Sequence, residues 1–270
     1  MLICATCAVE YAEPVPDICP ICADERQYVP LDGQRWLSLD ELTSDGTQLT
    51  VHDLEPGMLG LRADPQVGIG QQCIVVTTPA GSLVWDPTGY VDDATAARIR
   101  SLGPVLAVAA SHPHMFGVQV EWSRRLDHAP VLVAEADRTW IGRHDEVIEL
   151  WSGTRELAPE LTLHQVGGHF PGSACALWRN GAGGAGVLLT GDTVFPNPDH
   201  RSVGFLRSYP NKIPLSGAVV QRIAARLEGL PFDRIYGNFA NVIDHDGKRI
   251  VRASADRHTA WVRGEHDDLT

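Results

Sequence analysis

Three apolar runs in this chain each end in a side chain that can bind a metal, and this recurrence limits the possible folds more than any other feature. "PVLAVAAS" runs directly into His112 and His114, "LTLHQVGG" into His169, and "GVLLTGD" ends on Asp192. Short apolar runs bounded by turn residues read as buried strands. A side chain in the turn after a strand is aimed by the rigid scaffold beneath it. Only a fold that gathers several strand ends in one place brings these four residues together. Three imidazoles and one carboxylate are a ligand set for zinc, with iron or manganese as further possibilities.

The other segments fill in such a scaffold. "GQQCIVVTTPAGSLVWDPTGY" reads as a hairpin turning at "PAGS", and "DDATAARIRSL" as a helix with an acidic start. "FGVQVEWSRRLD" has helical length and spacing, "PVLVAEAD" is a strand, and "ACALWRN" pairs with "LTLHQVGG". "LSGAVVQRIAARLEGL" is an amphipathic helix, "FDRIYG" a strand, and "GKRIVRASADRHTAWVRGE" a final helix. Strands come in hairpins with helices interleaved, which predicts α/β layers with helices outside sheets.

A second metal-binding pattern stands at the front. "CATC" supplies Cys4 and Cys7, and "CPIC" supplies Cys19 and Cys22, separated by eleven residues. Two Cys-x-x-Cys pairs complete a closed tetrahedral site, which zinc fills without redox chemistry. So short a segment folds largely on the energy of its metal. It resembles a zinc ribbon or a rubredoxin knuckle, which leaves zinc or iron as the ion. Ala8 and Ala23 stand where rubredoxin-type knuckles usually carry Gly. The expected organisation is a module over residues 1–30 and a main domain over 31–270. Cys73 and Cys175 lie in apolar surroundings and read as core residues.

Charge excludes some partners. The net charge is −12, and only two of the 22 basic residues are lysines. No basic stripe emerges, which argues against nucleic acid or an anionic membrane as the main partner. No apolar run approaches the roughly 18 residues of a membrane span. The start lacks the basic and long apolar regions of a secretory signal, so the cytoplasm is the expected location. Thiols stay reduced there, in keeping with cysteines as metal ligands. A small-molecule substrate is expected. The sequence carries no signal for oligomeric state.

The order "VWDPTG", "SHPH", "GGHFPGS", "LLTGD" resembles the metallo-β-lactamase fold superfamily over about residues 70–200. More narrowly, "SHPHMFGVQVEW" and "SYPNKIPLS" resemble an uncharacterised metallo-hydrolase-like subgroup. The resemblance implies a four-layer αββα sandwich, a metal held by His112, His114 and His169, and Asp192 as the bridging carboxylate. Asp86 would support the site from the end of the hairpin. The family motif is His-x-His-x-Asp-His, but here Phe116 and Gly117 replace the residues that build the second metal site. The late histidine of that site is missing too, with Asn238 or Asn241 near its place. The resemblance thus implies a mononuclear hydrolase acting on an ester, thioester, lactone, amide or phosphoester through a metal-activated water. Asp192 or Glu121 would orient that water, Glu121 reaching back from a helix that starts near Phe116. The alternatives are a mononuclear iron oxygenase or redox enzyme on the same fold, and a non-catalytic metal-binding regulatory protein.

Overall fold

In the computed structural model, which describes residues 1–270, the front of the chain is organised by a meander that continues as a parallel sheet. The chain divides into two units, Met1–Ser152 and Gly153–Thr270. In the first unit, β1 (Leu2–Cys4), β2 (Glu10–Tyr11) and β3 (Trp36–Leu37) make a small antiparallel sheet. The one-turn helix α1 (Pro20–Ala23) and α2 (Leu39–Ser44) lie in the same stretch of chain. Ser38 and Glu41 start α2 with a reciprocal capping box.

The main sheet of this unit has seven strands. They are β4 (Gln48–Glu55), β5 (Met58–Asp64), β6 (Cys73–Thr78), β7 (Gly81–Trp85), β8 (Val105–Ala109), β9 (Val131–Ala134) and β10 (Ile148–Trp151). Neighbours from β4 to β7 run antiparallel, and those from β7 to β10 run parallel. The hairpin, the helix α3 (Asp93–Arg100) and the strand β8 stand where the sequence puts them. Asp92 caps α3 by accepting from the Thr95 amide at 2.7 Å, and its other oxygen accepts from Leu49 on β4 at 3.0 Å. Cys73, Val75 and Val84 join the core of this unit, while Ile74, Val76, Leu83 and Trp85 point to the opposite face and are buried too. A sheet buried on both faces reads as unbroken apolar runs, as "CIVVTT" and "LVW" do.

The helix α4 (Gln119–Arg125) begins three residues later than the sequence suggests. Residues Pro113–Met115 form a 3₁₀ turn instead, and Gly117 then takes φ +52°. A Cβ at Gly117 would lie 2.2 Å from the Pro87 carbonyl oxygen. Gly117→Ala is therefore expected to cost roughly 3 kcal/mol, from left-handed strain and a backbone clash together. Urea unfolding checks this, and a loss below about 0.5 kcal/mol would show that the turn tolerates a side chain.

The second unit carries a six-stranded sheet. Strands β11 (Thr154–Ala158), β12 (Leu161–Gln165), β13 (Ala174–Trp178) and β14 (Val187–Leu189) are antiparallel neighbours. Two short pairs follow, β15 (Phe195–Pro196) with β16 (Val203–Gly204) and β17 (Leu206–Ser208) with β18 (Ile213–Pro214). Strand β19 (Arg234–Tyr236) then runs parallel to β14, and β20 (Val242–Ile243) closes the edge. Helices α5 (Gly217–Glu228) and α6 (Gly247–Val262) lie together. Their apolar stripes, Val220, Ile223 and Leu227 with Ile250, Val251 and Ala255, share a core with Cys175, Leu177, Leu188 and Ile235 of the sheet. Cys73 and Cys175 are both fully buried, as expected. No helix is long and apolar enough to cross a membrane.

Candidate metal centres

Ligands emerge from strand ends in both units. In the first, β7 and β8 are parallel neighbours, so the segments after them leave the sheet at one edge. Asp86 follows β7 and His112 follows β8. The wholly buried Asp86 accepts a 2.6 Å hydrogen bond from the Ser111 amide, and Ser111 Oγ lies 2.9 Å from His112 Nδ1. Asp86 thus holds the residue that precedes His112. In the tautomer whose Nδ1–H donates to this hydroxyl, Nε2 carries the lone pair that a metal needs. The rings of His112 and His114 meet edge to face at 5.1 Å.

In the second unit, β12 and β14 both run antiparallel to β13, so their C-terminal ends share an edge. His169 follows the first and Asp192 the second. His169 Nδ1 donates to the Leu206 carbonyl at 3.0 Å, since a carbonyl can only accept, and its Nε2 lies 3.8 Å from Asp192 Oδ2. The Tyr209 hydroxyl donates to the Asp192 backbone carbonyl at 2.9 Å. Burial pushes the Asp192 carboxyl up to about 7, against a hydrogen bond from the Asn238 side chain. Burial also pushes the Tyr209 hydroxyl up, with the charge of Asp192 adding to the effect.

His112, His114, His169 and Asp192 form one group: a ligand atom from each lies within 4.8 Å of all the others, and all four are buried. Neutral imidazoles and a buried carboxylate suit a divalent cation, because the cation offsets the cost of the buried charge. Glu121 is not in this group. It lies in the first turn of α4, where its Oε1 accepts from Arg143 at 2.7 Å and from Arg124 at 3.3 Å. The late asparagines also divide: Asn238 bonds Asp192, whereas Asn241 donates to the Pro196 carbonyl and accepts from the Phe239 amide. His245 and Asp246 are exposed and form a pair of their own at 3.7 Å.

The four front cysteines form a second group, again with one atom each within 4.8 Å and all buried. None is in a disulfide. Cys4 and Cys22 sulfurs are 3.7 Å apart, as are those of Cys7 and Cys19. Gln34 Nε2 donates to Cys4 Sγ at 3.2 Å, and the Tyr11 hydroxyl lies 3.3 Å from Cys19 Sγ. Hydrogen bonds from Cys19 and then Cys22 hold the Cys4 thiol down, while burial pushes Cys7 up. Four thiolates side by side need a cation to ionise together, so the donor set and its packing suit a thiolate-bound metal. The missed group is Glu10, whose 2% exposed side chain joins Arg143 at 2.8 Å. An isolated Glu between "AV" and "YA" carries no local signal of this.

A profile of the family described as "Metallo-beta-lactamase superfamily" matches residues 68–257. The "Uncharacterized protein YmaE" of Bacillus subtilis (strain 168) is 38% identical over 267 residues, which span 97% of each chain. The structure of DIM-1 metallo-beta-lactamase matches with a TM-score of 0.58 at 10% identity, over 79% of this chain and 98% of that one. That of the metallo-beta-lactamase FIM-1 from Pseudomonas aeruginosa in its mono-zinc form matches with a TM-score of 0.54 at 13% identity, over 78% and 96%. At such identities the solved structures speak for the fold alone, and they give the mixed α/β sandwich expected from the motifs.

Proposed function

The chain belongs to the metallo-beta-lactamase superfamily, and from that premise we propose that it is a metal-dependent hydrolase of a small-molecule ester, thioester, lactone, amide or phosphoester. The buried group of His112, His114, His169 and Asp192 carries this reading. A bound ion would polarise the scissile carbonyl or phosphoryl oxygen and bring the pKa of a water down to about 7. Ser111 and the Leu206 carbonyl hold the rings of His112 and His169 in position. Asp192 would help hold such an ion through its carboxylate and would orient the attacking water. Glu121 is committed to its arginines, so Asp192 takes the role alone.

The reading is of a mononuclear site. Phe116 packs in the core of the first unit, and Gly117 has no space for a side chain. Neither position supports a second ion. We read the front cysteines as a zinc or iron site of structural character.

Metal analysis by plasma mass spectrometry tests both centres. Wild-type protein is expected to hold two equivalents, and His112→Ala with His169→Ala one. Zinc as the lost ion directs the search to hydrolase substrates. Equal content in the two proteins would overturn the assignment of the histidine centre, and three equivalents in the wild type would overturn the mononuclear reading.

A further inference from the structure

We propose that the four-cysteine centre positions the histidine segment: acting through Ala8 and Glu10, it holds both ends of residues 111–120 and so sets how tightly His112 and His114 bind their ion. This rests on the reading of those histidines as ligands.

The first contact starts at the cysteine turn. The Ala8 amide donates to the Cys4 carbonyl at 2.8 Å, and the Cys4 amide to the Val9 carbonyl at 3.0 Å. An ion shared by the four sulfurs therefore fixes Ala8, Val9 and Glu10 as well. Ala8 has φ +65°, where glycine would be unstrained, yet the chain keeps a methyl there. Glycines opposite make room for it. A Cβ at Gly89 would lie 2.3 Å from the Ala8 methyl, and one at Gly68 would lie 2.5 Å away. Gly89 belongs to the loop that begins with Asp86, the acceptor for Ser111, beside His112. Thr88 in that loop accepts from the Val118 amide at 3.1 Å and from Trp122 Nε1 at 3.3 Å.

The second contact is Glu10 itself. Its amide donates to the Gly117 carbonyl at 3.0 Å, and its Oε1 accepts from the Val120 amide at 2.5 Å. Its Oε2 accepts from Arg143, which also holds Glu121 on α4. A buried carboxylate on an amide of the first turn of a helix satisfies a donor that has no partner within the helix. The segment bearing His-x-His thus begins on the Asp86 loop, against which Ala8 packs, and ends on Glu10. Groups that orient metal ligands typically change affinity by about 10- to 100-fold.

The test measures zinc affinity at the histidine centre of the full chain by chelator competition, in wild type, Glu10→Ala, Glu10→Gln and Ala8→Gly. Cobalt(II) substitution reports the cysteine centre separately through its thiolate charge-transfer band. Glu10→Ala is expected to weaken the histidine centre by about 10-fold or more with the thiolate band unchanged. Glu10→Gln should recover much of this, because its amide oxygen still accepts from Val120. Ala8→Gly suits the backbone at φ +65°, so it keeps the test alive if Glu10→Ala fails to fold, and should weaken the centre several-fold. Affinities within about twofold of wild type for these variants would overturn the proposal. If the wild type itself holds no ion on its histidines, the functional reading fails. The contact is then read from hydrogen exchange of the Val120 amide, which Glu10→Ala should speed and Glu10→Gln should not; equal exchange would overturn it.

Discussion

Asp192→Asn is expected to move function and stability in opposite directions. The substitution keeps size and removes charge. Loss of the anionic ligand should lower metal occupancy at the histidine centre and reduce hydrolysis by about 10²- to 10³-fold. Stability should rise when that centre is empty. Folded Asp192 is pushed up to about 7 by burial, whereas an unfolded Asp releases its proton near pH 3.9. Between those values the folded state binds the extra proton, so the wild type with an empty histidine centre loses stability as pH rises. At about 1.4 kcal/mol per unit, the loss is on the order of 3–4 kcal/mol by pH 8. Asn has no such proton. Urea unfolding of the two proteins, cysteine centre loaded and histidine centre empty, should agree near pH 4 and diverge by pH 8 in favour of Asn. Parallel curves across that window would show that the carboxylate is already compensated without a cation. Such a trade is common where a site is built for a ligand and not for the fold.

The grouping of His112, His114, His169 and Asp192 is legible in the sequence because its signals are local. Each run of the group follows an apolar stretch that is a strand in the structure, β8 before His112, β12 before His169 and β14 before Asp192. Helices α5 and α6 announced themselves by a 3.6-residue period and by the core that period builds. Asp86 and Asn238 were found as positions whose neighbours only the fold supplies.

What failed to show depends on distance along the chain. Glu10 meets Val120 and Arg143, partners 110 and 133 residues away. No periodicity encodes such a pair. The helix starts at Gln119 and not near Phe116 because, although "FGVQVEW" has helical spacing, the close approach of Gly117 to Pro87 bars the helix from running back to Phe116. That shift places Glu121 in the first turn of α4, where Arg143 and Arg124 take it. Propensity gave way to tertiary contact at the loop that carries Phe116 and Gly117.

Cys19→Ser is expected to be among the most destabilising single substitutions in the first unit. Ile3, Cys4, Cys7, Ala8, Val9, Cys19, Ile21 and Cys22 share one apolar cluster with Val67, Tyr90, Val118 and Trp122. The cysteine centre is thus continuous with the core of that unit. Structural thiolate–zinc sites bind with about 10–16 kcal/mol, as much as the about 5–15 kcal/mol that holds a whole domain folded. Even a third of that, about 5 kcal/mol, should lower the melting temperature by 10–20 °C at 2–4 °C per kcal/mol. Cys73→Ser and Cys175→Ser provide the contrast. Those thiols are also buried, but they stand outside the four-sulfur group, and each change should cost about 1–2 kcal/mol for placing a hydroxyl in the core. A strong chelator should lower the melting temperature of the wild type and of these two variants by more than that of Cys19→Ser, which has only the histidine group left to empty. If Cys19→Ser melts within a few degrees of Cys73→Ser, the front cysteines are packed thiols like Cys73. The energy of the fold then comes from the apolar cluster around them.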